Sequence, residues 1–144
     1  MKSNLDENIR YTKNIVPERS DILNLYSDAG WHTYTSKPDV LMSGFNKSLA
    51  VYAAWTGNEL AGLARLVGDG KTIVYIQDIL VLRKYRRMGI GYGLLNRITS
   101  DFTKVRQIVL LADNNHETHD FYTSAGYTPV DAAGCRAYMM IKGE

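Results

Sequence analysis

Ile79-Leu80-Val81-Leu82-Arg83-Lys84-Tyr85-Arg86-Arg87-Met88-Gly89-Ile90-Gly91-Tyr92-Gly93-Leu94-Leu95 is the stretch on which the reading of the whole chain turns. It starts as an apolar strand, crosses a basic loop bearing glycines, and enters a helix whose Leu94, Leu95, Ile98 and Phe102 share one face. Glycines at such an opening let a ligand approach the backbone closely. The N–H groups of a first helical turn lack partners inside the helix and favour an anion, most naturally a phosphate. Arg83, Lys84, Arg86 and Arg87 place cations beside that end. Two phosphate motifs are excluded. The dinucleotide fingerprint G-x-G-x-x-G needs glycine where Leu94 stands. A Walker A loop ending at Gly70-Lys71-Thr72 needs glycine where Arg65 stands, and a helix where a strand follows.

Upstream of this segment the period is that of strands. Thr72 to Val81 is a long β-branched run, Leu60 to Val67 precedes it, and Leu49, Val51, Ala53 and Trp55 alternate with smaller or polar neighbours. Thr56-Gly57-Asn58-Glu59 and Gly68-Asp69-Gly70-Lys71 are turn sequences, so the three strands are expected to form an antiparallel meander. Further upstream, Pro17 opens a helical pattern carried by Ile22, Leu23, Leu25, Tyr26 and Ala29, with Gly30 as its stop. Residues 31–47 are ambiguous. Val40, Leu41 and Phe45 fit a second short helix after Pro38, and Trp31, His32 and Tyr34 fall in a loop. Downstream, Gln107 to Ala112 reads as a buried strand. Asn114 or Asn115 caps a helix that runs through Ala125 and stops at Gly126, and Ala137 to Ile141 reads as a terminal strand. The order predicts an α/β fold with a mixed sheet.

Composition narrows the classes. The chain has 144 residues, 45% of them hydrophobic and 22% charged, which suits one domain over 1–144. A formal net charge of +2 is too balanced to imply nucleic acid. No apolar run approaches the ~18 residues of a membrane span, and Met1 to Arg10 shows no apolar leader, so no membrane partner and a cytoplasmic location are expected. Cys135 is the only cysteine and cannot form an internal disulfide. It is read as a small buried or half-buried apolar residue rather than a nucleophile.

Arg86-x-x-Gly89-x-Gly91 resembles the acyl-CoA-binding signature R/Q-x-x-G-x-G/A of the GNAT superfamily of N-acetyltransferases. Asn115-His116-Glu117-Thr118-His119-Asp120-Phe121-Tyr122-Thr123-Ser124-Ala125-Gly126-Tyr127 resembles that family's N-x-x-A-x-x-L/F-Y-x-x-x-G-F/Y segment, with Thr118 where a small Ala is common. The resemblance implies a mixed, mostly antiparallel sheet flanked by helices and acetyl-CoA as cosubstrate. It implies that Ile79, Leu80 and Val81 pair with the pantetheine arm like a further strand. The N–H groups of Arg87, Met88, Gly89, Ile90, Gly91 and Tyr92 would cradle the pyrophosphate. Cations among Arg83 to Arg87, Arg86 included, would meet the ribose 3′-phosphate. Asn115 would hydrogen-bond the pantetheine, Tyr122 would sit beside the thioester sulfur, and Trp31, His32 or Tyr34 would border the acceptor amine.

The implied reaction moves an acetyl group to a primary amine, small-molecule acceptors being favoured by the short chain. Transfer of a longer acyl group, acetylation of a protein lysine or N-terminus, and a non-catalytic acyl-CoA-binding module are the alternatives. A homodimer through a sheet edge or the C-terminal strand stays open. An alkylamine of pKa about 10.4 must lose a proton before it attacks. The strand positions where relatives carry bases hold Tyr75 and Gln77, and Leu110 occupies another such place. Asp78 is the nearest carboxylate, but alternation puts it on the face opposite Gln77 unless a bulge re-aims it. A water relay polarised by Gln77 is therefore expected, with Tyr122 giving the last proton to the thiolate. His116-Glu117-Thr118-His119 falls short of H-E-x-x-H because Asp120 stands where the second histidine belongs, and no metal is expected.

Overall fold

The period-two pattern of the middle third becomes three antiparallel strands in a computed structural model that describes residues 8–142. They are β2 (Ala50–Thr56), β3 (Glu59–Val67) and β4 (Ile73–Val81). Thr56 pairs with Glu59 across a two-residue turn in which Gly57 takes φ +58°. The second turn is closed by Asp69. Its carboxylate accepts the Thr72 hydroxyl and the N–H groups of Lys71, Thr72 and Ile73. The Thr72 hydroxyl and then these backbone donors hold its carboxyl well below the usual carboxylate range.

Two further strands complete a five-stranded sheet of order β1-β2-β3-β4-β5. β1 (Ile9–Lys13) pairs antiparallel with β2, and β5 (Gln107–Leu110) pairs parallel with β4. β1 has no counterpart in the sequence reading. Its apolar residues, Ile9 and Tyr11, alternate over too few positions to stand out without the neighbouring strand. The helices are α1 (Arg19–Asp28), α2 (His32–Thr35), α3 (Pro38–Asn46), α4 (Ile90–Asp101) and α5 (His116–Ser124). The segment 32–35, expected as loop, is thus a single helical turn.

Residues up to Leu111 form one compact unit and those from Ala112 another. In the first, α1 and α3 cover one face of the sheet. Ile22, Leu25, Tyr26, Leu41 and Phe45 pack with Val51, Ala53, Leu63 and Leu80. On the other face α4 buries Ile90, Leu94, Leu95 and Ile98, and Tyr52 donates a 2.7 Å hydrogen bond to Asp101 at its end. β2 is buried on both faces as a result, from Ala50 to Ala54. Gly62 permits the close approach of α4, since a Cβ there would lie 2.9 Å from Ile90 Cγ2 and 3.3 Å from Leu80 O.

The second unit holds α5. The terminal strand expected over Ala137–Ile141 is not formed: among the described residues the segment pairs with no strand, and Tyr138, Met139, Met140 and Ile141 are exposed. An apolar run is only a candidate strand; the pairing partner decides it. Cys135 is likewise exposed, where a buried or half-buried residue is expected.

Candidate active site

The open edge of β4 comes from a difference in strand length. β5 accompanies β4 only from Ile73↔Gln107 to Ile76↔Leu110. β4 continues to Val81 with β3 alone, through Ile79↔Ala64, Leu80↔Leu63 and Val81↔Gly62. Among the described residues no strand pairs with the β5-side edge of β4 beyond Ile76. That edge offers a row of peptide groups to an extended ligand with amides of its own.

The edge leads into the basic loop. Arg83–Tyr85 form a 3-10 turn, Arg87 takes φ +64°, and Gly89, the N-cap of α4, takes φ +86°. Arg87 is not a glycine, so its left-handed backbone stores strain of order 1 kcal/mol. The first helical bond of α4 runs from Gly93 N–H to Gly89 O at 2.9 Å, so the N–H groups ahead of it face out of the helix end. Left-handed residues alternating with extended or helical ones make a backbone concavity suited to anions. The loop is held at its start. Arg83 N–H donates to Asp28 (2.8 Å), Tyr85 donates to Glu59 (2.7 Å), and Thr56 donates to Tyr85 (2.9 Å). All four cations expected near a 3′-phosphate, Arg83, Lys84, Arg86 and Arg87, are exposed; Lys84 is paired with Glu59 at 2.8 Å, and Arg86 Nε donates to Val81 O at 3.4 Å. Met88 is half-buried, Ile90 buried, and Gly91 and Tyr92 lie in the first turn of α4.

A buried polar cluster stands beside β4 on the α1–α3 face. The register passes from Arg65↔Asp78 to Leu66↔Ile76, so Gln77 is an inserted residue, a β-bulge. It overturns the strict alternation that set Asp78 and Gln77 on opposite faces. The Tyr34 hydroxyl reaches both, donating to Asp78 Oδ1 (3.1 Å) and accepting from Gln77 Nε2 (3.0 Å). Asp78 is 2% exposed, and its Oδ2 accepts from Arg65 Nε (2.9 Å) and from Tyr26 Oη (2.8 Å). Burial, ahead of the charge of Asp78, pushes the Tyr26 phenol far up. Burial also raises Tyr34, with Gln77 acting the other way, so that hydroxyl keeps its proton. Trp31 is half-buried against Tyr26 and Tyr34, with ring centres at 5.7 and 6.0 Å. Tyr75 is half-buried opposite Val67.

The sequence reading missed Arg65, Tyr26 and the role of Asp78. The available signal was a charge in the middle of each of two apolar strands, which is tolerable only if the charges meet. Removing one partner strands the other. Asp78→Ala is expected to lower stability by about 3–5 kcal/mol, measured by urea unfolding.

In the second unit, Asn115 caps α5, its side-chain oxygen accepting from Thr118 N–H at 2.8 Å. That cap engages the oxygen, and the amide NH₂ is the donor end of the side chain. Tyr122 is half-buried, edge-on to Phe121 (4.9 Å) and Tyr127 (6.0 Å). Burial first, then Tyr127 and Asp113, push its hydroxyl up to about 12. His116 and His119 are exposed. Among the described residues no group of three or more His, Cys, Asp or Glu is placed to hold a metal. None of the helices there is long and apolar enough to cross a membrane.

The open β4 edge of a mixed sheet thus runs directly into a glycine-bearing loop and the N-terminus of α4. The chain belongs to the acetyltransferase (GNAT) family, whose sequence profile matches residues 19–127. It is similar to a GNAT-family acetyltransferase from Streptococcus pneumoniae, at 32% identity and a TM-score of 0.84, covering 94% of this chain and 99% of that one. A probable acetyltransferase from methicillin-resistant Staphylococcus aureus shares the fold at 24% identity and TM-score 0.76, over 92% and 99% of the two chains. So does an aminoglycoside acetyltransferase from an uncultured soil metagenomic sample, solved with sisomicin, at 17% identity and TM-score 0.70, over 96% and 99%. A search of curated protein sequences finds no match.

Proposed function

We propose that the chain, working as one N-acetyltransferase domain in the cytoplasm, transfers the acetyl group of acetyl-CoA to a primary amine of a small molecule by direct attack in a ternary complex. The observation that carries this is the continuity of the β4 edge with the left-handed loop and the N-terminus of α4. Ile79, Leu80 and Val81 offer peptide groups along the pantetheine arm, and the N–H groups from Arg87 to Tyr92 surround the pyrophosphate. Asn115 adds a side-chain donor, and Tyr122 holds the proton required by the departing thiolate. A backbone N–H near the end of β4 stabilises the oxyanion. Asp78, the carboxylate next to Gln77, is enclosed. Deprotonation therefore passes through water ordered at Gln77 and neighbouring carbonyls. The small-molecule reading draws on the shared fold of the aminoglycoside enzyme.

Charge gives the first test. CoA affinity measured by calorimetry should fall as salt rises, because screening shortens from about 10 Å at 0.1 M to about 3 Å at 1 M. Dephospho-CoA should bind more weakly than CoA at low salt if Arg83, Arg86 or Arg87 meets the 3′-phosphate. Equal affinities would remove that contact. Absence of CoA binding at any salt would overturn the proposal itself.

A further inference from the structure

The polar chain that ends at Gln77 has a direction. Asp78, paired with Arg65, is an acceptor only, so Tyr34 must donate to it. The single hydroxyl proton of Tyr34 is then spent, and Gln77 must present its NH₂ to the Tyr34 oxygen. This fixes the orientation of the Gln77 amide: its Nε2 faces inward and its Oε1 is left for a ligand. Gln77 is exposed, it is the bulged residue, and it lies two positions before Ile79 on the strand with the open edge. Every donor in the series points toward the buried carboxylate, so the series presents an acceptor outward. Hydrogen bonds aligned in this way polarise one another and strengthen that outer oxygen.

We propose that Gln77 Oε1 is the seat of the acceptor's amine nitrogen, with Tyr34, Asp78 and Arg65 as positioning residues that lock the amide with its oxygen outward. The ligand class is an N–H donor, and Trp31 packs its ring against Tyr34 at 6.0 Å, steadying that hydroxyl. The inference rests on the acetyltransferase reading and extends it from a reaction to a specific amine contact. The bulge serves this purpose: without the inserted residue, Gln77 and Asp78 could not share one hydroxyl.

The test uses the full chain with acetyl-CoA and an amine that the wild type acetylates. Gln77→Met removes the oxygen at nearly constant shape, and Tyr34→Phe frees the amide to rotate. Gln77→Met should raise KM for the amine about ten- to hundred-fold, the range for a hydrogen bond to a charged group, with Kd for acetyl-CoA unchanged. Tyr34→Phe should raise it less. The double variant should match Gln77→Met alone, because Tyr34 acts through Gln77. Unchanged amine KM in a folded Gln77→Met protein would overturn the proposal. So would a rise in acetyl-CoA Kd in its place, which would give the oxygen to the pantetheine. Additive effects would overturn the positioning role of Tyr34. A wild type that binds no acetyl-CoA would instead fail the acetyltransferase reading, and this inference with it.

Discussion

Gly89→Asp should abolish measurable CoA binding, with affinity reduced at least about 100-fold and the fold retained. Two effects act together. Gly89 takes φ +86° as the N-cap of α4, a backbone conformation in which a side chain is strained by about 1 kcal/mol or more. The new carboxylate would also stand at the helix end that is to receive a pyrophosphate, placing like charges within a few ångströms. Asp tolerates left-handed backbone better than most side chains, which supports retention of the helix. Gly89→Ala separates the effects, since it carries the strain without the charge and should lose far less affinity. Circular dichroism and melting temperature establish the fold, and calorimetry reads the binding. A folded Gly89→Asp protein that binds CoA as wild type does would place the cofactor elsewhere.

Tyr122→Phe should lower kcat by about 10²–10⁴-fold if the hydroxyl is the general acid for the thiolate. The ring contacts with Phe121 and Tyr127 survive the change, so melting temperature and acetyl-CoA Kd should hardly move. A tyrosine serving only packing would behave in the opposite way, with altered stability and unaltered turnover per folded molecule. The pH dependence adds a sign. Because the hydroxyl is pushed up to about 12, it stays protonated well past the usual value near 10. Deprotonation of the donor therefore imposes no descending limb on kcat up to about pH 10. Loss of the acceptor's ammonium proton produces a rising limb in kcat/KM over the alkaline range.

What the sequence disclosed was local. The Arg86-x-x-Gly89-x-Gly91 run, the Asn115 cap and the two hairpin turns each depend on residues a few positions apart, and each is found where the pattern puts it. What it concealed was pairing. The bulge at Gln77 exists only relative to β3, and no spacing within Ile73–Val81 announces it. The Asp78 carboxylate draws Tyr26 from α1, Tyr34 from α2 and Arg65 from β3, partners between 13 and 52 residues away. β1 and the segment Ala137–Ile141 err in opposite directions for the same reason. A strand is defined by its neighbour, which β1 has in β2 and the terminal segment lacks. Helix α2 was hidden because four residues give no period to read.

The central claim is acetyl transfer to an amine, and one measurement meets it directly. The protein is incubated with acetyl-CoA and each member of a panel of small primary amines, polyamines and aminoglycosides, a peptide N-terminus and a lysine peptide. CoA thiol release is followed together with mass detection of the acetylated amine. Thiol release that depends on the amine is expected, matched mole for mole by an N-acetylated small molecule. Thiol release without acetylated product, or tight acetyl-CoA binding with no transfer to any amine in the panel, would contradict it.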